Sequence, residues 1–280
     1  QERRAHPHLR GEPRVALSPL DRAALKGMAS EACCSAGAPI AAEYAGNGTV
    51  STIGEDLAIY EVGTGPRLIV FVYDIFGFGA PPNNGTVRRV CDHFAESGFR
   101  VIMPDFYRGK PWTLDKFPPT TDELKAEFGA WWGSTAAYDV VKADITNTVL
   151  PYAASSGAES FALAGTCWGG LMSCTLAGDC EGLALPLVGA AAVHGARLTA
   201  EHGTNSAVPL CLLPSGEDPP VDDIMAELAS KPFADKCVSQ FYADEVHGFL
   251  AARGNWGDEA RGAAAQDALG RLVAFFASVF

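Results

Sequence analysis

The pentapeptide Gly165-Thr166-Cys167-Trp168-Gly169 places a cysteine between small residues at a spacing that suits nucleophilic catalysis. An apolar run, residues 161–164, precedes it, and a helix-compatible segment, residues 171–177, follows it. Strand, sharp turn and helix in this order form a nucleophile elbow of the G-x-S-x-G type, here with cysteine in place of serine. Small flanking residues let strand and helix approach closely, and the start of a helix favours a thiolate. Cys167 is therefore the predicted nucleophile.

An acid and a histidine follow the cysteine in the chain. Asp218 lies just past the strand-like run 209–213, and His247 lies just past the run 238–242. Open α/β sheets build their sites at the carboxyl ends of strands, and α/β-hydrolases place nucleophile, acid and histidine in this chain order. We favour Asp218 as the acid over the other carboxylates nearby, which are Glu217, Asp222 and Asp223.

Together these three side chains account for one kind of chemistry. A cysteine near its free pKa is only slightly ionised at neutral pH, and a neighbouring imidazole can take its proton. A carboxylate bonded to the other ring nitrogen fixes the tautomer and stabilises the imidazolium. The predicted reaction is acyl transfer to Cys167. His194 also follows a strand-like run, but it precedes the acid and so has the wrong order for the base.

Further segments occur in a characteristic order, at residues 73–77 (YDIFG), 90–99, 104–109, 165–170 and 247–249. Together they resemble the dienelactone hydrolase (carboxymethylenebutenolidase) family, from about Tyr44 to the C-terminus. The resemblance implies a single-domain α/β-hydrolase fold, no cofactor, and a small-molecule ester or lactone as substrate. It also implies the roles of nucleophile, orienting acid and base for Cys167, Asp218 and His247.

The remaining site residues follow from the same resemblance. Asp74 stands where bacterial members have a glutamate that partners the resting thiol; alternatively, it only caps its own loop. The backbone N–H groups of Ile75 and Trp168 would form the oxyanion hole. Arg108 and Arg253 are nearest to the two substrate-binding arginines, although neither has the bacterial spacing. The predicted substrate-binding residues are Phe76, Arg108, Trp112 and Phe249.

Aromatic residues are frequent in a long insertion between the third predicted strand and the helix that follows it. Trp112, Phe117, Trp131 and Trp132 lie in or near it. Two interpretations stay open: they line an apolar acyl or aryl pocket, or they pack the insertion onto the body.

The scaffold expected around these residues is a mostly parallel, doubly wound sheet with helices on both faces. Contiguous apolar runs at 67–73 and 99–103 read as buried parallel strands, joined by a crossover helix over 86–96. Residues 50–62 predict an antiparallel hairpin at the sheet edge. Further helices are predicted over residues 138–154, 221–229 and 258–279.

Composition narrows the class of protein. The chain has 280 residues, 48% hydrophobic and 19% charged, enough for one large core. A formal net charge of −12 argues against nucleic acid as a partner and offers no attraction to anionic membranes. The longest weakly polar run, residues 182–193, is far short of the ~20 residues of a spanning helix. We expect no membrane segment.

The eight cysteines show no C-x-x-C spacing and no zinc-finger pattern, so we predict neither a metal site nor a disulfide framework. Apolar surroundings predict buried thiols at Cys91, Cys174, Cys211 and Cys237. Free thiols fit a reducing compartment, either the cytoplasm or an organelle lumen or stroma. Because the chain begins with glutamine rather than methionine, a targeting sequence could have preceded it.

We divide the chain into an N-terminal extension, residues 1–43, and a hydrolase domain, residues 44–280. Residues 1–32 contain six Lys/Arg and four Asp/Glu, a net charge of +2, which leaves −14 for the rest. They read either as a loosely ordered tail or as an arm that docks a protein partner. The second interpretation supports an alternative function: a non-catalytic or moonlighting subunit that keeps the hydrolase fold.

Overall fold

The long apolar runs of the sequence form the centre of one sheet. This computed structural model describes residues 44–79 and 83–280, so the extension 1–43 and its predicted docking role lie outside the described residues. The strands are β1 (Thr49–Ile53), β2 (Leu57–Val62), β3 (Arg67–Val72), β4 (Arg100–Pro104), β5 (Ser160–Thr166), β6 (Leu187–Val193), β7 (Leu210–Leu213) and β8 (Val238–Ser239).

The strand order is β1-β2-β4-β3-β5-β6-β7-β8. Strands β4, β3, β5, β6, β7 and β8 pair in parallel, and β1 and β2 form the antiparallel hairpin predicted at the edge. Every residue of β4, and all of β3 except Arg67, is buried. The contiguous apolar pattern arises because helices cover both faces of these strands. The predicted α/β-hydrolase fold class is confirmed.

Helices connect the strands and supply both outer layers. They are α1 (Asn83–Glu96), α2 (Asp122–Trp132), α3 (Tyr138–Asp144), α4 (Leu150–Ser155), α5 (Trp168–Ala177), α6 (Ala200–Asn205), α7 (Asp222–Leu228) and α8 (Glu259–Val279). Within the described ranges, no helix combines the length and the apolar character needed to cross a membrane.

Two of the predicted helices show how particular residues shape the outer layers. The helix expected over 138–154 is divided into α3, a π-helical turn at Ile145–Val149, and α4. Pro151 lies in the first turn of α4 and has no N–H with which to continue the regular pattern. The C-terminal helix α8 turns its apolar stripe inward, including Leu269, Leu272 and Phe276, and closes one face of the sheet.

Candidate active site

Cys167 occupies the sharp turn between β5 and α5. Its backbone has φ 55° and ψ −115°, an unusual conformation for a residue with a side chain. Hydrogen bonds hold it there: its N–H donates to the carbonyl of Val193 at 3.2 Å, and its own carbonyl accepts from Ala196 N–H at 3.0 Å. The side chain is largely buried, with 5% of the residue exposed. The predicted strand, turn and helix are all present around this cysteine.

Flanking glycines allow the elbow to form. A Cβ atom on Gly165 would lie 2.0 Å from the carbonyl oxygen of Gly169, and a Cβ atom on Gly169 would lie 1.9 Å from that of Val72. Both distances are far inside van der Waals contact. The glycines are therefore required because strand, turn and helix touch one another through their backbones.

Asp218 and His247 are brought together by the loops that follow β7 and β8. Asp218 Oδ1 lies 2.5 Å from His247 Nδ1, and the two side chains are only 3% and 4% exposed. The other oxygen of Asp218 accepts hydrogen bonds from Ser215 N–H at 2.8 Å and Ser215 Oγ–H at 2.7 Å. A β-bridge between Ser215 and Tyr242 joins the two loops.

Electrostatics favour the charged form of this acid. Burial alone would raise the pKa of Asp218, but the hydrogen bond and charge of His247, helped by His194 and Ser215, outweigh it and lower the pKa below its ordinary value. Asp218 therefore stays a carboxylate at neutral pH and can stabilise a positive charge on His247.

The peptide groups of His247 are held as firmly as its ring. Its N–H donates to Glu217 Oε2 at 3.0 Å, and its carbonyl accepts from Arg253 Nη1 at 2.9 Å. Gly248, the next residue, has φ +92°, a conformation that favours glycine. Glu217, which the sequence offered as a competing acid, thus contacts the backbone of the histidine rather than its ring.

One pocket joins half of the predicted site residues. It is a small pocket that opens to solvent, and its lining residues are Asp74, Ile75, Phe76, Phe117, Cys167, His247, Gly248, Ala252 and Arg253. Five of the predicted residues, Asp74, Ile75, Phe76, Cys167 and His247, therefore face the same space. Trp168 N–H, the first of helix α5, follows directly after Cys167 and belongs to the groups that have no acceptor within a helix.

The carboxylate of Asp74 forms a hydrogen bond within its own loop. Its Oδ1 accepts a hydrogen bond from Phe76 N–H at 2.9 Å, so it caps its own loop. It also lines the pocket together with Cys167. The side chain is buried, with 3% of the residue exposed.

Aromatic residues of the insertion divide between the two roles considered. Phe117 lines the pocket and meets Phe76 edge to face, with ring centroids 5.4 Å apart. Trp112 packs instead against Phe128 and Trp131, at 4.9 and 5.8 Å, and is not part of the pocket lining. Its backbone N–H still donates to the carbonyl of Ile75, at 2.9 Å.

The structure does not bring the other predicted substrate-binding residues to the pocket. Arg108 forms a two-pronged ion pair with Asp144, at 2.7 and 2.8 Å, and a further one with Asp56 at 3.1 Å. The fork geometry of a guanidinium suits this buried carboxylate. Phe249 packs behind the site against His194 and Tyr242. Arg108 and Phe249, like Trp112, are absent from the pocket lining.

His194 lies next to the site, although its position before the acid in the chain had ruled it out as the base. It follows β6, its ring centroid lies 5.0 Å from that of His247, and it is fully buried. Neither ring nitrogen has a hydrogen-bond partner within the described part of the chain. Burial, with the nearby charge of His247, lowers the pKa of His194 to about 3. Its ring is neutral at ordinary pH. The sequence feature that could have placed His194 near the site was its position at the carboxyl end of a central strand.

Metal ligands do not cluster around this pocket. Across residues 44–79 and 83–280, no group of three or more His, Cys, Asp or Glu side chains is arranged to hold a metal ion. The cysteines in these ranges are free thiols. Cys91, Cys174 and Cys211 are buried as predicted, whereas Cys237 is only partly buried. The titratable side chains that line the pocket are the thiol of Cys167, the imidazole of His247, the carboxyl group of Asp74 and the guanidinium of Arg253.

Known sequences and structures resemble this chain. The sequence profile of the dienelactone hydrolase family matches residues 61–280. An uncharacterised AIM2 family protein of Schizosaccharomyces pombe is 22% identical over 228 residues, 80% of this chain and 88% of that protein. A carboxymethylenebutenolidase homologue of Mus musculus is 32% identical over 108 residues, 38% of this chain and 39% of that protein.

A solved structure shows the same fold. The dienelactone hydrolase of Anabaena variabilis superposes with a TM-score of 0.52 at 15% identity, covering 80% of this chain and 94% of that one. At this identity the likeness concerns the arrangement of sheet and helices.

Proposed function

The chain belongs to the dienelactone hydrolase family and is a hydrolase; from that premise we propose that it cleaves a lactone or another activated ester through a Cys167-His247-Asp218 triad. The observation that supports this most strongly is the shared pocket. Cys167, on a strained turn, and His247, held by Asp218 at 2.5 Å, both line it. A thiol and an oriented imidazole that open onto one space are the elements that nucleophilic acyl transfer requires.

The reaction begins with proton transfer from the thiol to His247, which leaves a thiolate beside an imidazolium that Asp218 stabilises. The thiolate attacks the ester carbonyl, and the alcohol or enol oxygen leaves with the proton from His247. Water, deprotonated by His247, then attacks the thioester; the acid is released and the thiol restored. No oxidant or cofactor takes part in these steps.

Two backbone amides are suited to the negative charge that develops on the carbonyl oxygen. Trp168 N–H lies at the start of α5, and Ile75 lines the pocket. The hydrogen bond from Trp112 N–H restrains Ile75 at its carbonyl, on the side away from this N–H. Each donor of an oxyanion hole contributes about 3 kcal/mol to transition-state binding.

The substrate class follows from the leaving groups. In the tetrahedral intermediate a thiolate leaves more readily than an alkoxide, so simple alkyl esters revert to substrate. An enolate is a much better leaving group. We therefore propose enol lactones and aryl esters as good substrates, and ethyl acetate as a poor one. Comparable kcat/KM values for ethyl acetate and an enol lactone would contradict this assignment.

Cys167→Ala is the direct test of the nucleophile. Purified protein should hydrolyse p-nitrophenyl acetate, and the substitution should abolish turnover and stoichiometric labelling by iodoacetamide near neutral pH. The matched control is Cys174→Ala in the helix that follows, because burial raises the pKa of Cys174 to about 12 and keeps it a thiol. Equal loss in both variants, or full activity in Cys167→Ala, would refute the proposal.

The non-catalytic alternative depends on residues 1–32, which lie outside the described residues. The same experiment separates it from the enzyme. A subunit role requires that the protein co-purify with a partner only when residues 1–32 are present, and that Cys167→Ala leave its function intact.

A further inference from the structure

Building on the proposed function, we infer that Glu217 is a positioning residue for His247: consecutive acids of one loop hold the histidine at two points. Asp218 contacts the ring at Nδ1, 2.5 Å away, and Glu217 accepts the backbone N–H at 3.0 Å. The chemistry of a triad requires the first contact only. The second is an additional contact that the triad does not explain.

The loop after β7, which carries Glu217, and the loop after β8, which carries His247, lie in direct contact. Gly216 N–H donates to the carbonyl of Glu245 at 3.0 Å, and a Cβ atom on Gly216 would lie 2.1 Å from the carbonyl oxygen of Ala243. This close approach brings the next side chain, Glu217, within reach of the His247 peptide. Because Glu217 is half-buried, its bond to the amide is less exposed to competing water than a surface contact.

Asp218 cannot replace Glu217 in this role. One of its oxygens faces His247 Nδ1, and the other accepts two hydrogen bonds from Ser215. On the far side of the residue, Arg253 donates to the His247 carbonyl at 2.9 Å. Glu217 is therefore the group that fixes the N-terminal peptide of His247. Without it, the His247 N–H has no Glu217 carboxylate to hold it, and the peptide that sets the direction of the ring is less restrained.

Orientation matters because proton transfer needs the imidazole within hydrogen-bond reach of the thiol. A displacement of about 1 Å lowers rates by as much as ~100-fold. Glu217 is absent from the pocket lining and acts through His247, so we expect its loss to change kcat rather than KM.

Glu217→Ala and Glu217→Gln test the inference in the full chain, with Asp223→Ala as the control for loss of an exposed carboxylate nearby. Alanine removes the acceptor, whereas glutamine retains an oxygen that can accept the His247 N–H. We expect kcat for p-nitrophenyl acetate to fall about 10- to 100-fold in Glu217→Ala, with KM little changed. Glu217→Gln should keep most of the wild-type kcat, and Asp223→Ala should have the same kcat as the wild type.

A second readout does not depend on turnover. A histidine partner lowers the pKa of a cysteine, so the rate at which iodoacetamide labels Cys167 should rise with pH at a higher midpoint in Glu217→Ala than in the wild type or Glu217→Gln. A loss of stability alone would lower the active fraction without moving this midpoint.

The two readouts separate failure of this inference from failure of the proposed function. If turnover depends on Cys167 while Glu217→Ala keeps wild-type kcat and labelling midpoint, the inference is overturned and the proposed function stands. If the wild type shows no Cys167-dependent turnover, the proposed function fails, and the labelling midpoint still decides the role of Glu217. Equal damage from alanine and glutamine would also overturn it.

Discussion

The carboxylate of Asp218 lies 2.5 Å from Nδ1 of His247, and both side chains are almost completely buried. A carboxylate in this position keeps a proton on Nδ1, so the other ring nitrogen is the one available as a base. The loops after β7 and β8 create this contact, because parallel neighbouring strands end at the same edge of the sheet.

Asp218→Asn should lower kcat by about 10³- to 10⁴-fold while the fold is retained, because an amide favours the wrong tautomer of His247 and cannot stabilise the imidazolium. The measurement is kcat for p-nitrophenyl acetate. Asp222→Asn, an exposed change in the first turn of α7, is the control and should have little effect. A loss of less than tenfold in Asp218→Asn would show that this carboxylate does not orient the base.

Patterns within short segments predicted much of this molecule. Contiguous apolar runs indicated β3 and β4, and the pentapeptide around Cys167 indicated the turn between β5 and α5. The order of Cys167, Asp218 and His247 was sufficient to place acid and histidine on neighbouring loops. These features depend on residues close together in sequence or on the topology common to parallel sheets.

Long-range side-chain contacts could not be read in the same way. Arg108 was assigned to substrate from its approximate position, but Asp144, 36 residues away, binds its guanidinium. Trp112 and Phe117 lie in one insertion and have similar character, yet only Phe117 faces the pocket. Which side of an insertion faces inward depends on how it folds over the body, and no local pattern encodes that direction.

Gly169→Ala should destabilise the protein by about 3 kcal/mol or more, because its methyl group would lie 1.9 Å from the carbonyl oxygen of Val72. Gly270→Ala is the matched control. Nothing lies within 4 Å of a Cβ atom at Gly270, in the middle of α8, so this change should stabilise by up to about 1 kcal/mol. Urea unfolding of the two variants measures both effects. Similar free energies of unfolding would contradict the close packing of the elbow.

Phe117→Ala should widen the pocket beside Phe76 and shift preference toward bulkier acyl groups. The Phe117 ring lies 5.4 Å from that of Phe76 and forms part of the wall near Cys167. We expect the ratio of kcat/KM for p-nitrophenyl hexanoate over acetate to rise by at least about tenfold, since even one methylene group in an apolar pocket discriminates by about 10- to 200-fold. Leu114→Ala, an exposed residue of the preceding turn, should leave the ratio unchanged. An unchanged ratio in Phe117→Ala would show that this ring does not contact the acyl group of the substrate.

The buried ring of His194 should make stability depend on pH. Burial lowers the pKa of His194 to about 3, against 6.5 for an ordinary histidine. Between these values the unfolded chain binds a proton that the folded protein does not. The free energy of unfolding therefore falls as pH falls from about 6.5 toward 3, by about 1 kcal/mol per pH unit from this group. The lowered pKa of Asp218 acts in the same direction, but only below its ordinary value of 3.8.

His194→Phe and His194→Gln should both flatten the decline in stability between pH 6.5 and 4.5, because neither side chain titrates there. They should differ at neutral pH. Phenylalanine removes two buried nitrogens that lack partners within the described residues, and so should raise the free energy of unfolding, by about 1 kcal/mol or more. Glutamine retains buried polar atoms and should not raise it. Urea titrations at pH 4.5, 5.5, 6.5 and 7.5 test both expectations. A wild-type slope in either variant would mean that His194 is already protonated in the folded protein or exposed to water.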